Sequence, residues 1–182
     1  MARVPYLDPK DLPEEHRDIL KRNINLHRGL VHSIEGARRF SALGQWIRYG
    51  AKLDPRLREL AILQVGWLAR SPYEWSHHVK IGYDFGVTDQ DVAAIATETQ
   101  GKDGGLAEID RLVLRAAREM TADGKMSDDT FAAVQKHLGN EQTVELTIVV
   151  AFYNGVVRLL GTLGIDVEPD YQPYLDRFPL PR

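Results

Sequence analysis

The sequence predicts an all-α fold, and three observations carry that expectation. A punctuation grammar recurs along the chain: a Ser, Thr or Asp able to cap, helix formers after it, then glycine or a polar break. Helical spacing is clearest where Ile109, Leu112, Val113, Ala116, Ala117 and Met120 recur at i, i+3, i+4, i+7, i+8 and i+11. No run alternates apolar and polar residues between turn signals, so no strand is required.

Each element follows from that grammar. Asp11, ahead of Leu12, Pro13, Glu14 and Glu15, places proline and acids in the first turn of a helix expected to reach about Leu26. Ser33 caps a second helix to Tyr49, which Gly50 stops. Asp54 caps a third with Pro55 at its first position, and Arg56 to Ala69 is apolar on most sides, which predicts a central helix. Ser71, Pro72, Tyr73 and Glu74 spell a capping box for a fourth helix ending at Gly86. Thr88 and Asp91 repeat the box for a short fifth. The stretch Gln100 to Gly105 is a loop, and the amphipathic sixth helix follows it. Ser127 opens a seventh helix closed by Gly139, and Glu141 to about Leu163 forms an eighth. Val144 to Leu163 is the longest apolar region, yet Thr147, Asn154, Arg158 and two glycines interrupt it, which suits a buried helix better than a membrane span. Pro169 to Arg182 holds four prolines, two tyrosines and a phenylalanine. Such an arm does not extend a helix; it is expected to lie on its own subunit or to wrap a neighbouring one.

The 182 residues suffice for one core and are read as a single domain over 1–182, with a core motif at about 54–93 and a C-terminal arm at about 166–182. At 43% hydrophobic and 27% charged the chain folds as an ordinary globular protein. Its 23 basic and 26 acidic residues leave a net charge of −3 and no basic block, so nucleic acid is not an expected partner. No membrane association is expected either. The first ten residues, MARVPYLDPK, lack the apolar stretch of a signal peptide, which makes cytoplasmic residence the expectation. Cysteine is absent, which excludes disulfides, thiolate metal ligands and thiol catalysis in this sequence.

Residues able to do chemistry concentrate between Asp54 and His78. Glu59 sits among Leu57, Leu60, Ala61, Ile62 and Leu63, so its carboxylate must be paired, exposed or raised in pKa. With Arg56 and Arg58 nearby, a solvent-facing or arginine-paired Glu59 stays open; Arg58 itself falls on a different helical face. Glu74 and His78 are four residues apart and share a face, where a carboxylate fixes an imidazole's tautomer and raises its basicity. Equally, Glu74 completes the capping box with Ser71, and His77 or His78 serves as an ordinary core or surface histidine. Glu59, Glu74, His77, His78, His27 and His32 include metal-ligand types. No H-E-x-x-H pattern accompanies them, and no metal or other cofactor is expected. A serine-nucleophile elbow and a phosphate-binding glycine loop are also missing.

The run R-x-R-E-L-A-I-L at Arg56 to Leu63, Y-E-W-x-x-H at Tyr73 to His78 and G-V-T at Gly86 to Thr88 resembles the carboxymuconolactone decarboxylase family, which also contains the AhpD-like alkylhydroperoxidases. The resemblance is strong over about 40 residues and weaker across Asn25 to Gly44 and Glu145 to Leu163. It implies an AhpD-like helical bundle of about seven to eight helices with a helix-hairpin core, assembled as a dimer, trimer or hexamer. In the peroxidase branch a glutamate and a histidine serve a C-x-x-C pair; the matching residues here are Glu59 and His78, with Ser71 and Glu74 at the cysteine positions. Thiol peroxidase chemistry is thereby lost while the proton-transfer residues remain. The decarboxylase branch acts on an unsaturated lactone acid, as in aromatic compound metabolism, and implies a cofactor-independent lyase or proton-transfer enzyme for a small carboxylated or lactone metabolite. His78 would be the general acid–base, Glu59 or Glu74 would orient it, and Tyr73, Trp75 and Ser71 would contact substrate. A non-catalytic helical oligomer that binds a small molecule, and a metal-dependent enzyme using His78 with a carboxylate, are the alternatives.

Overall fold

The computed structural model describes residues 2–181, and both ends of the expected 1–182 unit fall outside that range. No strand forms among the described residues, where eight α-helical spans follow one another: α1 (Asn25–Leu30), α2 (Ile34–Tyr49), α3 (Pro55–Leu68), α4 (Pro72–Asp84), α5 (Asp89–Thr99), α6 (Glu108–Ala122), α7 (Asp128–Leu163) and α8 (Gln172–Arg177). The caps foreseen at the helix starts form. Asp54 Oδ1 accepts from the Leu57 amide at 3.0 Å, Ser71 Oγ accepts from the Glu74 amide at 3.4 Å, and Thr88 with Asp91 closes a reciprocal box.

A helix that is apolar on most sides is stable only where other helices cover all of it. α3 is that helix: Leu60, Ala61, Ile62, Leu63 and Val65 have no solvent exposure, and α4, α5, α6 and α7 surround it. One arginine ties this arrangement together electrostatically. Arg56 on α3 reaches Asp91 on α5 at 2.6 Å and Asp110 on α6 at 2.9 Å, using its fork for two carboxylates at once. Arg56 is therefore committed away from Glu59.

Three elements differ from the sequence reading. The helix expected from Asp11 to Leu26 is instead two 3-10 turns, Pro9–Asp11 and Glu14–Leu20, and α1 begins only at Asn25. Asp11 does not cap a helix because its carboxylate turns back to accept the Asp8 amide at 2.8 Å, and Pro13 supplies no amide to continue. Arg38 then pins this stretch across α2 through both oxygens of Asp18, at 2.9 and 2.8 Å.

The proline-rich arm does make helix: a 3-10 turn at Pro169–Tyr171 and then α8. Pro169 and Pro173 lie in first-turn positions, where a missing N–H costs nothing. The arm packs on α4 of its own chain.

The late apolar helix is core on one face only. Leu146, Val149, Val150, Tyr153, Val156, Val157 and Leu160 point inward, whereas Val144, Ala151, Gly155 and Gly161 are exposed, as are Leu43, Trp46 and Tyr49 on α2.

The break expected at Gly139 is present inside α7, where the residue adopts φ 71° and ψ 175°. That region is essentially restricted to glycine, so Gly139→Ala should lower the unfolding free energy by about 1–3 kcal/mol. Gly155→Ala, in regular helix with open space around the new methyl, should instead raise it by about 0.5–1 kcal/mol. Urea denaturation of both variants checks the pair of opposite signs.

Candidate active site

The α3–α4 hairpin lays two antiparallel helices side by side and brings Glu59 opposite His78. His78 Nδ1 lies 2.6 Å from Glu59 Oε2, and Nε2 lies 2.9 Å from Glu74 Oε1 on its own helix. The second contact is an ion pair rather than a directed hydrogen bond, because Glu74 Oε1 has no donor in line with it. On the far side, Arg58 donates from Nε to Glu59 Oε1 at 3.0 Å and from Nη1 to the Arg48 carbonyl at the end of α2, at 2.9 Å. The guanidinium also lies over the Phe85 ring, 4.4 Å from its centroid. The result is a linear chain of alternating sign, Arg58–Glu59–His78–Glu74, with every member at most 4% exposed.

Each partner of the central pair is shifted toward its charged form. Burial opposes the imidazolium, but the carboxylates of Glu59 and Glu74 outweigh it and raise the His78 pKa above its ordinary 6.5. Burial likewise favours a protonated Glu59, and the charges and hydrogen bonds of His78 and Arg58 reverse this and lower its pKa. The adjacent histidine behaves oppositely. His77 carries one carboxylate, Glu168 at 2.8 Å, and burial wins, lowering its pKa. Its ring is stacked between Tyr73 and Tyr171, at 4.0 and 3.5 Å between centroids.

His78 and Glu74 open onto a cavity of about 490 Å³, bounded by the 3-10 segment before α1, by α1, by α2, and by the inner faces of α4 and α7. Glu59 lies behind the imidazole and does not line it. Lys21, Arg22 and Arg48 face this space with no carboxylate partner among the described residues, while Arg38 is paired with Asp18. His27 also lines it; burial together with the charges of Arg22 and Arg48 lowers its pKa.

Of the residues singled out in the sequence, Glu59, Glu74 and His78 converge, and Tyr73 is in the cavity wall. Trp75 and Ser71 are not. The Trp75 ring packs on Trp67 at 5.2 Å and donates from Nε1 to the Phe178 carbonyl at 2.8 Å, which makes it an anchor for the arm. Ser71 is the cap of α4. His32 lies away from the site, with Nε2 2.8 Å from the Pro5 carbonyl. Arg58 departs from the expectation of a separate helical face, because its long side chain folds back along α3 onto its neighbour's carboxylate. Sequence reasoning missed Tyr153, whose ring meets His78 edge-on at 5.0 Å, and Arg48. Both sit in ordinary helical patterns, and only the crossing of α2 and α7 over the hairpin brings them to His78. Glu59 and Glu74 occupy opposite ends of the imidazole, so the three cannot close on one point. Among the described residues no group of three or more His, Asp or Glu is arranged to hold a metal ion.

A cysteine-free helical bundle with a buried carboxylate–imidazole–carboxylate row beside a cavity defines the protein as AhpD-like in fold. The segment 35–119 matches the model of the Carboxymuconolactone decarboxylase family. Among solved structures it is similar to the alkylhydroperoxidase AhpD core of an uncharacterized peroxidase-related protein from Ralstonia eutropha JMP134 (19% identity, 96% of this chain and 95% of that one, TM-score 0.80). A peroxidase-related protein from Silicibacter sp. TM1040 is similar at 18% identity over 93% and 92% of the two chains, with TM-score 0.76. The debrominase Bmp8, captured with 2,3,4-tribromopyrrole, is similar at 17% identity over 98% and 100%, with TM-score 0.80. Among curated proteins none matches the chain in sequence.

The pair sets a pH dependence whose sign is fixed. With its folded pKa raised, His78 contributes stability that is complete below 6.5 and lost as pH rises through the folded value. Glu59, with its folded pKa lowered, contributes stability that is complete above 4.5 and lost as pH falls through the folded value. Denaturation followed from below 6.5 to well above it should show the wild type losing stability on the alkaline side and His78→Asn losing none of that increment. Glu59→Gln should cost about 3–5 kcal/mol near neutrality, because it strands the buried Arg58 charge as well as the imidazole.

Proposed function

We propose that the protein is a cofactor-independent acid–base enzyme of the lyase type, acting on a small carboxylated or lactone metabolite without thiol chemistry. One observation carries this reading: a buried imidazole, held between two carboxylates that raise its proton affinity, opens at a cavity whose unpaired charges are cationic. Glu59 engages Nδ1 and Glu74 engages Nε2; His78 and Glu74 both line the cavity, so a ligand exchanges its proton at this Nε2–Glu74 contact. For an acid conjugated to a carbonyl, the bond from carbon to carboxylate breaks and its electron pair moves into the conjugated system as an enolate. The imidazolium then gives its Nε2 proton to carbon, carbon dioxide leaves, and water reprotonates His78. A cavity of about 490 Å³ suits a ligand of one or two rings. The Bmp8 complex, in which a protein of the same fold holds a single small ring, supports that size.

Exposed large apolar side chains, Leu43, Trp46 and Tyr49 on α2 and Phe131 and Val144 on α7, support assembly into a homo-oligomer that would cover them. Sedimentation should accordingly show no monomer at micromolar concentration.

The functional reading is tested with a panel of unsaturated lactone acids and conjugated oxo acids, scored by carbon dioxide release and by incorporation of solvent deuterium into product. Turnover should follow a bell-shaped pH profile and fall by about 10²–10⁴-fold in His78→Gln. Turnover that survives this substitution unchanged removes His78 from the mechanism. A ligand that binds but is never turned over across the panel favours a binding protein instead.

A further inference from the structure

Tyr153 is 6% exposed and packs its ring edge-on against His78 and Phe152, and its hydroxyl makes no hydrogen bond to another described residue. It is in the wall of the cavity that His78 and Glu74 also line, and its oxygen is not sealed away as Glu74 Oε1 is. A buried phenol usually spends its hydroxyl on a protein partner. One that keeps it free at a cavity wall offers a donor to a ligand's oxygen. Burial and the nearby Glu74 and Glu59 carboxylates push its pKa up, so the O–H stays on as a donor at any working pH.

Arg48 supplies the second group. Arg48 lines the same cavity with no carboxylate partner, and its charge is felt both at the Tyr153 hydroxyl and at His27. Its backbone is held by the Arg58 side chain that also holds Glu59, so the cation and the proton-transfer pair are fixed in one frame. Lys21 and Arg22 add positive potential at the mouth.

We infer that Tyr153 and Arg48 form an oxyanion and carboxylate subsite: Arg48 meets the carboxylate of a small conjugated oxo acid, and Tyr153 donates to the oxygen on which negative charge develops. This deepens the acid–base reading and rests on it for the catalytic meaning of that charge. The subsite itself is a statement about binding. Its position follows from the crossing of α2 and α7 beside His78. The Tyr153 ring meets His78 edge-on with 5.0 Å between centroids, so an oxygen bound by Tyr153 would bring its ligand beside the imidazole. No covalent bond to Tyr153 forms, and its proton stays on the phenol throughout.

The probe is para-hydroxy-meta-nitrobenzoate, which carries a carboxylate for Arg48 and, at the opposite end of one ring, a chromophoric phenolate oxygen for Tyr153. The control is meta-nitrobenzoate, which lacks the hydroxyl. Absorbance and calorimetric titration of the full-length protein should show the hydroxyl probe binding as its phenolate. Tyr153→Phe should weaken it about tenfold to a hundredfold, the value of a hydrogen bond to a charged oxygen, and leave the control ligand unchanged. Arg48→Gln should weaken both. Wild-type protein that binds neither compound, or a Tyr153→Phe variant that treats both alike while keeping its helical circular dichroism, overturns the subsite. His78→Gln separates the two claims. Retained discrimination between the probes with lost turnover supports both. Discrimination without turnover in the wild type leaves the subsite standing and sinks the lyase reading, whereas turnover insensitive to Tyr153→Phe sinks the subsite alone.

Discussion

The constraint on which the structure turns is that Glu59 has no exposure at all and stays ionised. A carboxylate taken wholly out of water carries a desolvation penalty of several kcal/mol and persists only when its oxygens are saturated by charged donors. α3 meets half of that demand by folding Arg58 back onto Oε1, and α4 meets the rest by placing His78 on Oε2. The requirement propagates outward. Arg58, itself buried, needs more acceptors than Glu59 offers and takes the carbonyl at the end of α2, which seats that helix over the hairpin. His78, charged in turn, draws in Glu74. Three helices are registered against one another by a single row of charges, and their crossing leaves the cavity at the end of that row.

Such a row is an inefficient way to gain stability, since well-packed apolar residues of equal volume would do as well or better. Its value lies in what it does to proton affinity. Adjacent histidines on α4 show this within one helical turn. His77 is stacked between two tyrosines and given one carboxylate shared with the Asn25 amide and the Tyr73 hydroxyl; its affinity for a proton falls. His78 lies between two carboxylates, one of them shared with Arg58, and its affinity rises. His77 thus serves the arm, tying Glu168 and Tyr171 to α4, while His78 is left as the titrating group of the cavity. The spacing i, i+1 sends the two rings to different neighbours, and those neighbours decide everything else.

Most of the fold was legible because the signals are local. Caps at Asp54, Ser71, Thr88 and Ser127 and the break at Gly139 act over one turn of chain, and each governs the same turn in the structure. The amino-terminal segment misled for a related reason: Asp11 has the residue type of a cap, but the competition for its carboxylate is won by Asp8, three residues upstream. Trp75 misled because the motif Y-E-W-x-x-H reads as one functional string. On a helix, consecutive residues face different ways, and Trp75 turns toward Trp67 and the Phe178 carbonyl, whereas His78 turns to Glu59 and the cavity. Arg58 shows the limit of reasoning by helical face, since a side chain with four rotatable bonds reaches beyond the face it starts from.

The residues least legible in the sequence are those the site shares with distant helices. Tyr153 lies in an apolar run, where an aromatic residue reads as core, and by packing it is core: its ring contacts His78 and Phe152 as any buried ring would. Only the hydroxyl is out of character, and a missing partner is visible only once every neighbour has been placed. The same holds for Arg48, whose charge at the end of α2 is unremarkable until α7 and the hairpin wall it in. Ser71 is the cap of α4 and Glu74 a charge beside His78, so two residues of one first turn serve the helix start and the imidazole separately. What the cavity beside His78 can do is set by the groups around it, and these include the cations Lys21, Arg22 and Arg48 and a phenol with no protein partner.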